Sequence, residues 1–164
     1  MTPIRSSLKN KYEKRSLIVI ETASQRSRQL FSSGYRCAES VLMAVAENRN
    51  IQSDLIPRIA TGFCGGLSHT TNGTCGAVSG AIMAINLVKG RNDATESVEE
   101  NYRAIQNFIE EFQKQFHTIR CSELTGCDLG TEEGVKAFTD QNKIEMCLNF
   151  TEEATRLALS IIEE

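Results

Sequence analysis

From Cys75 the chain reads Cys-Gly-Ala-Val-Ser-Gly-Ala, and small residues return at Gly76, Gly80 and Ala84. At helical spacing these three share one face. Another backbone can approach such a face more closely than one bearing large side chains, so the segment demands a tight helix contact, in the core or at an interface between copies. Its first residue is a thiol. The unpaired N–H groups and positive dipole end of a helix start favour a thiolate. Cys75 is therefore expected to be the low-pKa and most reactive thiol. Packing as a small residue at a crowded helix start is the alternative.

The pattern is helical nearly throughout. The basic stretch 1–16 reads as an N-terminal helix or arm, with Ile4, Leu8 and Tyr12 as its apolar stripe, and residues 16–31 keep helical spacing. Ser32-Ser33-Gly34 breaks it. Cys37, Val41, Leu42 and Val45 form a second apolar face. Asp54 can cap a short helix with Leu55, Ile56, Ile59 and Phe63 on its face, and Pro57 suits its first turn. A small, polar loop follows from Gly65 to Thr74, after which Asn72 or Thr74 can cap a helix running to about Val88. Residues 95–116 carry Val98, Tyr102, Ile105, Phe108, Ile109, Phe112 and Phe116 at amphipathic spacing. Residues 121–130 read as irregular, with a short turn near Glu133, and 143–162 as a last helix. No lasting strand alternation, repeat or long linker interrupts the chain. The expectation is one all-α domain, 1–164, a bundle of about five to six helices.

At 164 residues the chain is long enough for one real core. A net charge of −3 argues against nucleic-acid binding. The run Leu17-Ile18-Val19-Ile20 is too short for a secretory signal. The apolar stretch near 77–88 falls short of the roughly 20 residues of a membrane span. A cytoplasmic protein without a membrane span is expected. Six cysteines in that setting point to metal binding or redox chemistry more than to structural disulfides.

The six are Cys37, Cys64, Cys75, Cys121, Cys127 and Cys147, with no Cys-x-x-Cys among them, which excludes thioredoxin-like and zinc-ribbon spacing. His69 in the glycine-rich loop is a candidate metal ligand, though a solvated loop histidine is the plainer reading. His117 at the end of the long helix fits a dipole contact. Glu123, between two cysteines, is a candidate proton acceptor or simply a surface charge. Gly65, Gly66 and Gly73 do not continue into a phosphate-loop or dinucleotide-binding spacing.

The ordered set Gly34-Tyr35-Arg36-Cys37-Ala38-Glu39-Ser40-Val41, Ala60-Thr61-Gly62-Phe63 with Gly65-Gly66, Cys75-Gly76-Ala77-Val78-Ser79-Gly80, Cys121 with Glu123-Leu124-Thr125-Gly126, and Cys147 resembles the C-GCAxxG-C-C family of redox-active proteins. The resemblance covers about residues 20 to 160. It implies four functional cysteines, Cys37, Cys75, Cys121 and Cys147, which should converge, with Cys64 and Cys127 at the edge. A related arrangement occurs in the cluster-binding part of split-Soret cytochromes, but no Cys-x-x-Cys-His is present for a c-type haem. Three functions stay open. One is thiol–disulfide exchange or electron transfer, with Cys75 as nucleophile, Cys37 or Cys121 as resolving thiol and a reductase as partner. The second is an iron–sulfur cluster or a zinc or iron ion on the same four thiols, with Cys64 and Cys127 as further ligands. The third is a structural or oxidation-sensing protein.

Overall fold

The computed structural model describes residues 3–163, with side chains from residue 14 onward. Eight helical elements follow in order among the described residues: α1 (Pro3–Ser32), α2 (Cys37–Asn48), α3 (Cys64–His69), α4 (Gly76–Lys89), α5 (Glu99–Phe116), α6 (Cys121–Thr125), α7 (Glu132–Asp140) and α8 (Ile144–Glu163). A 3-10 turn, Arg58–Phe63, precedes α3. The described residues contain no strand, only one isolated antiparallel bridge between Thr74 and Arg120. The all-α expectation holds. The number of helices is larger than expected because α6 and α7 occupy stretches that read as irregular segment and turn. From Pro3 on, the basic stretch and residues 16–31 form one helix; the Ile4, Leu8 and Tyr12 side chains lie outside the described residues.

α2, α4 and α8 pack on one another, α1 covers α2 and α8, and α5 lies on α4 and α8. The small face of α4 explains the central crossing. A Cβ at Gly80 would lie 2.5 Å from the Ala38 carbonyl oxygen and 2.8 Å from Ala38 Cα, so α2 rests directly on the α4 backbone. This face therefore serves the core. α5 contributes Phe108 and Phe112, both fully buried. Burial of each ring is worth up to about 3 kcal/mol. A chain of ring contacts runs on through Phe112–Phe116 (4.7 Å between centroids) to an edge-on Phe116–Phe150 pair at 5.1 Å.

Two apolar faces differ from the sequence expectation. Leu55, Ile59 and Phe63 point to solvent, because 54–63 forms turns and a 3-10 segment whose buried residue is Ala60. Tyr102 on α5 is exposed as well. The helix ends have local causes. The Glu39 carboxylate accepts the Arg36 backbone N–H (2.8 Å), closing the start of α2. It also accepts the Thr61 hydroxyl (2.6 Å), which ties the 3-10 turn to α2. His117 ends α5 in a left-handed conformation, its N–H donating to the Gln113 carbonyl (2.7 Å). No described helix is long and apolar enough to cross a membrane.

Candidate functional site

Four of the six cysteines stand at helix starts. Cys37, Cys64 and Cys121 are the first residues of α2, α3 and α6, and Cys75 is the N-cap of α4, the role expected for Asn72 or Thr74. Cys147 lies within the first turn of α8. All six thiols are free. Five of them, Cys37, Cys64, Cys75, Cys121 and Cys147, line one cavity of about 560 Å³. Cys127 does not. It is buried beside it, its N–H donating to Thr125 Oγ1 (3.3 Å), while the Thr125 hydroxyl donates to the Cys121 carbonyl (2.8 Å).

Backbone pairing brings Cys75 and Cys121 together. On either side of the Thr74–Arg120 bridge, the Cys75 N–H donates to the Ile119 carbonyl (2.7 Å) and the Cys121 N–H to the Gly73 carbonyl (3.0 Å). α3 packs against this bridge. It is a left-handed turn: Gly65, Gly66, Leu67, Ser68 and His69 all have φ between 55° and 70°. L-residues resist that conformation by about 1–2 kcal/mol each. Close contact at Gly66 shows why glycine leads into it, since a Cβ there would sit 2.8 Å from Cys121 Cβ. The turn presents His69 at the cavity mouth, exposed as a loop histidine.

Gly76 joins the two halves of the thiol set. A Cβ on it would meet Cys37 Sγ at 2.4 Å and Cys64 Cα at 3.1 Å. The bare α4 start thus lets Cys37 and Cys64 press against the residue next to Cys75. Cys64, expected at the edge, is an inner member of the set. Cys37 Sγ and Cys64 meet at the bare surface of Gly76. The Cys64 thiol donates to the Ala60 carbonyl (3.7 Å). The contact with Cys37 is the first cause holding the Cys64 thiol well above the ordinary thiol range, followed by burial and the charge of Cys37; the N–H groups of Ala38 and Glu39 at the α2 start pull the other way.

The expectation that Cys75 is a low-pKa thiol is overturned. Burial pushes it up to about 12, with Cys121 and Cys147 adding to the effect. The Ala77 and Val78 N–H groups at the α4 start do favour the thiolate, as the sequence argument required, but desolvation outweighs them. Burial and then Cys121 push Cys147 up to about 12 as well, and burial raises Cys121. Burial thus favours the protonated form of all three.

Glu123 takes no part. Its carboxylate accepts the Thr118 hydroxyl and an Arg120 N–H (3.3 Å) at the surface. Among the described residues, no three His, Cys, Asp or Glu side chains are grouped to hold a single metal ion, so the thiols as placed do not form a ready zinc or iron sphere. Sequence reasoning missed Arg36, Thr61, Val135 and Phe138, which also line the cavity. Arg36 was visible as the residue before Cys37. The α7 pair was visible as Val135 and Phe138 three apart behind the capping residue Thr131.

Comparison with known proteins matches residues 35–161 to the family described as "Putative redox-active protein (C_GCAxxG_C_C)". The chain is also 28% identical over 156 residues to an uncharacterized protein of Archaeoglobus fulgidus, covering 88% of this chain and 95% of that one. No solved structure matches.

Proposed function

Because the chain belongs to the C_GCAxxG_C_C family of redox-active proteins, we propose that it performs thiol–disulfide exchange with Cys37 and Cys64 as the working pair. The observation that carries this is the meeting of Cys37 Sγ and Cys64 on the bare Gly76 surface, at the wall of one cavity. Cys37 at the first position of α2 acts as nucleophile. Attack of Cys37 on a disulfide forms a mixed disulfide and releases one thiol. Cys64, once deprotonated, attacks the Cys37 sulfur and expels the second thiol. The net change is one disulfide reduced to two thiols, with two electrons supplied by the pair as it closes. A dithiol reductase restores it.

The second reading is an iron–sulfur cluster on Cys75, Cys121 and Cys147 with a fourth thiol. It is favoured by the all-thiol donor set these three bring to the lining of one cavity, although they are not gathered tightly enough to hold a single ion. One experiment separates the two: anaerobic purification with iron and sulfide analysis, then titration with a small disulfide and peptide mapping. A colourless protein that forms a Cys37–Cys64 disulfide supports exchange. Stoichiometric iron and sulfide with visible absorbance supports the cluster and removes the exchange proposal.

A further inference from the structure

We infer that the thiol-lined cavity is a binding site for a small organic disulfide with an apolar body and a carboxylate, the carboxylate held by Arg36. This rests on the exchange reading and adds the substrate class. Four of the five cavity thiols are buried and Cys147 is half-buried, so a reacting disulfide must enter the cavity to reach them. The same cavity is lined by the apolar residues Phe31, Leu129, Val135, Phe138, Ile144 and Phe150. A volume of about 560 Å³ accommodates a small molecule.

Charge selects among such molecules. None of the described lining residues carries a carboxylate, and Arg36 lines the cavity. The Arg36 guanidinium makes no ion pair among the described residues, whereas Arg26, Arg28 and Arg156 are all paired. What Glu39 engages at Arg36 is the backbone N–H. The side chain is thus free to meet an incoming anion, and guanidinium geometry suits a carboxylate. Ser68, Thr125 and the His69 ring add polar groups at the lining.

The test compares two aromatic disulfides whose released thiols are coloured, the dianionic dithiobis(nitrobenzoate) and the neutral dithiodipyridine, on the reduced protein and on Arg36→Gln. The backbone cap of α2 survives that substitution. The expected result is a fall in the anionic-to-neutral rate ratio of roughly fivefold, the scale of one partly solvated charge-assisted hydrogen bond. A ratio unchanged in Arg36→Gln overturns the inference. Cys37–Cys64 disulfide formation, mapped in the same samples, reports on the exchange reading separately. A second measurement needs no exchange: the redox-inert acid naphthoate should slow alkylation of Cys37 by neutral iodoacetamide in wild-type protein, saturably, and do so less in Arg36→Gln. Absence of any protection in the wild type overturns the carboxylate site even if the Cys37–Cys64 disulfide forms.

Discussion

The cavity has two sides built on opposite principles. On one, α2 crosses α4 with backbone against backbone, and Ala38, Val41, Leu42, Ala77, Val78 and Ala81 have no exposed surface. On the other, α7 buries no residue at all, although its Val135 and Phe138 face the same space. Sulfur positions need the first construction. A disulfide forms only over a narrow range of geometry, and Cys37, Cys64 and Cys75 are held to one another through the bare surface of Gly76. Admission of a molecule needs the second, since a wall that is itself fully packed leaves nothing to open. The contrast places stability in α2 and α4 and access in α7.

The sharpest way to break this division is Gly80→Leu. A single added carbon already meets Ala38 at 2.5 Å, and a leucine must separate the two helices. Overpacking typically costs about 1–3 kcal/mol and more where backbone must move. Here we expect at least about 3 kcal/mol, read from urea unfolding. Gly76→Ala should be milder in stability but should push Cys37 away from Cys64, lowering the yield of their disulfide. Near-wild-type unfolding of Gly80→Leu would show that α2 and α4 do not meet as described.

That crossing was legible in the sequence, because the spacing of Gly76, Gly80 and Ala84 has one physical meaning wherever it falls. Val41, Val45, Phe108 and Phe112 were legible for the same reason: repetition at the helical period. Three features were not. α6 and α7 are too short for periodicity to register, and only the capping residue Thr131 marks the start of α7. The left-handed turn of α3 includes Leu67, Ser68 and His69, residues whose local preference points elsewhere, so only the surrounding contacts hold it. The chemistry of Cys75 was misread because its helix-start position can be read locally while its burial cannot, and burial has the larger effect. The pairing of Cys64 with Cys37 depends on the fold of 54–69, the stretch whose helical pattern proved misleading.

Alkaline pH tests the packed side next. In the folded protein Cys75 and Cys147 are pushed up to about 12, against about 8.5 for an unfolded thiol. Both pKa values are raised by folding, so their contribution to stability is fully present below about pH 8.5 and is lost as pH rises toward 12. Each thiol contributes a slope of up to about 1.4 kcal/mol per pH unit inside that window. Urea midpoints should therefore fall more steeply with pH in the wild type than in Cys75→Ala. Parallel curves would mean that water reaches Cys75.

The access side is tested by smaller effects. The Thr131 hydroxyl oxygen accepts the Gly134 N–H (3.0 Å) at the start of α7. Removing such a cap typically costs about 1 kcal/mol. If α7 folds onto the rest largely as a separate unit, Thr131→Ala should speed amide hydrogen exchange within α7 and leave the α4 amides unchanged. Uniform acceleration across both helices would join α7 to the core and erase the contrast.

Phe138→Ala should have the smallest effect on stability and the most specific one on access. A fully buried phenylalanine costs about 3–5 kcal/mol when cut to alanine, which is the expectation for Phe112→Ala. Phe138 is only half-buried and sits on a helix that buries nothing, so its global cost should stay below about 1 kcal/mol, near the range of ordinary surface changes. The same substitution removes a wall of the cavity that the sulfurs share. Alkylation of Cys147, the most accessible of the cavity thiols, should accelerate in Phe138→Ala, because reagent reaches it more easily and lost burial favours its thiolate, and Cys127, outside the cavity, should keep its wild-type rate. Equal acceleration at both cysteines would mean general loosening, and α7 would then be a structural helix like the others.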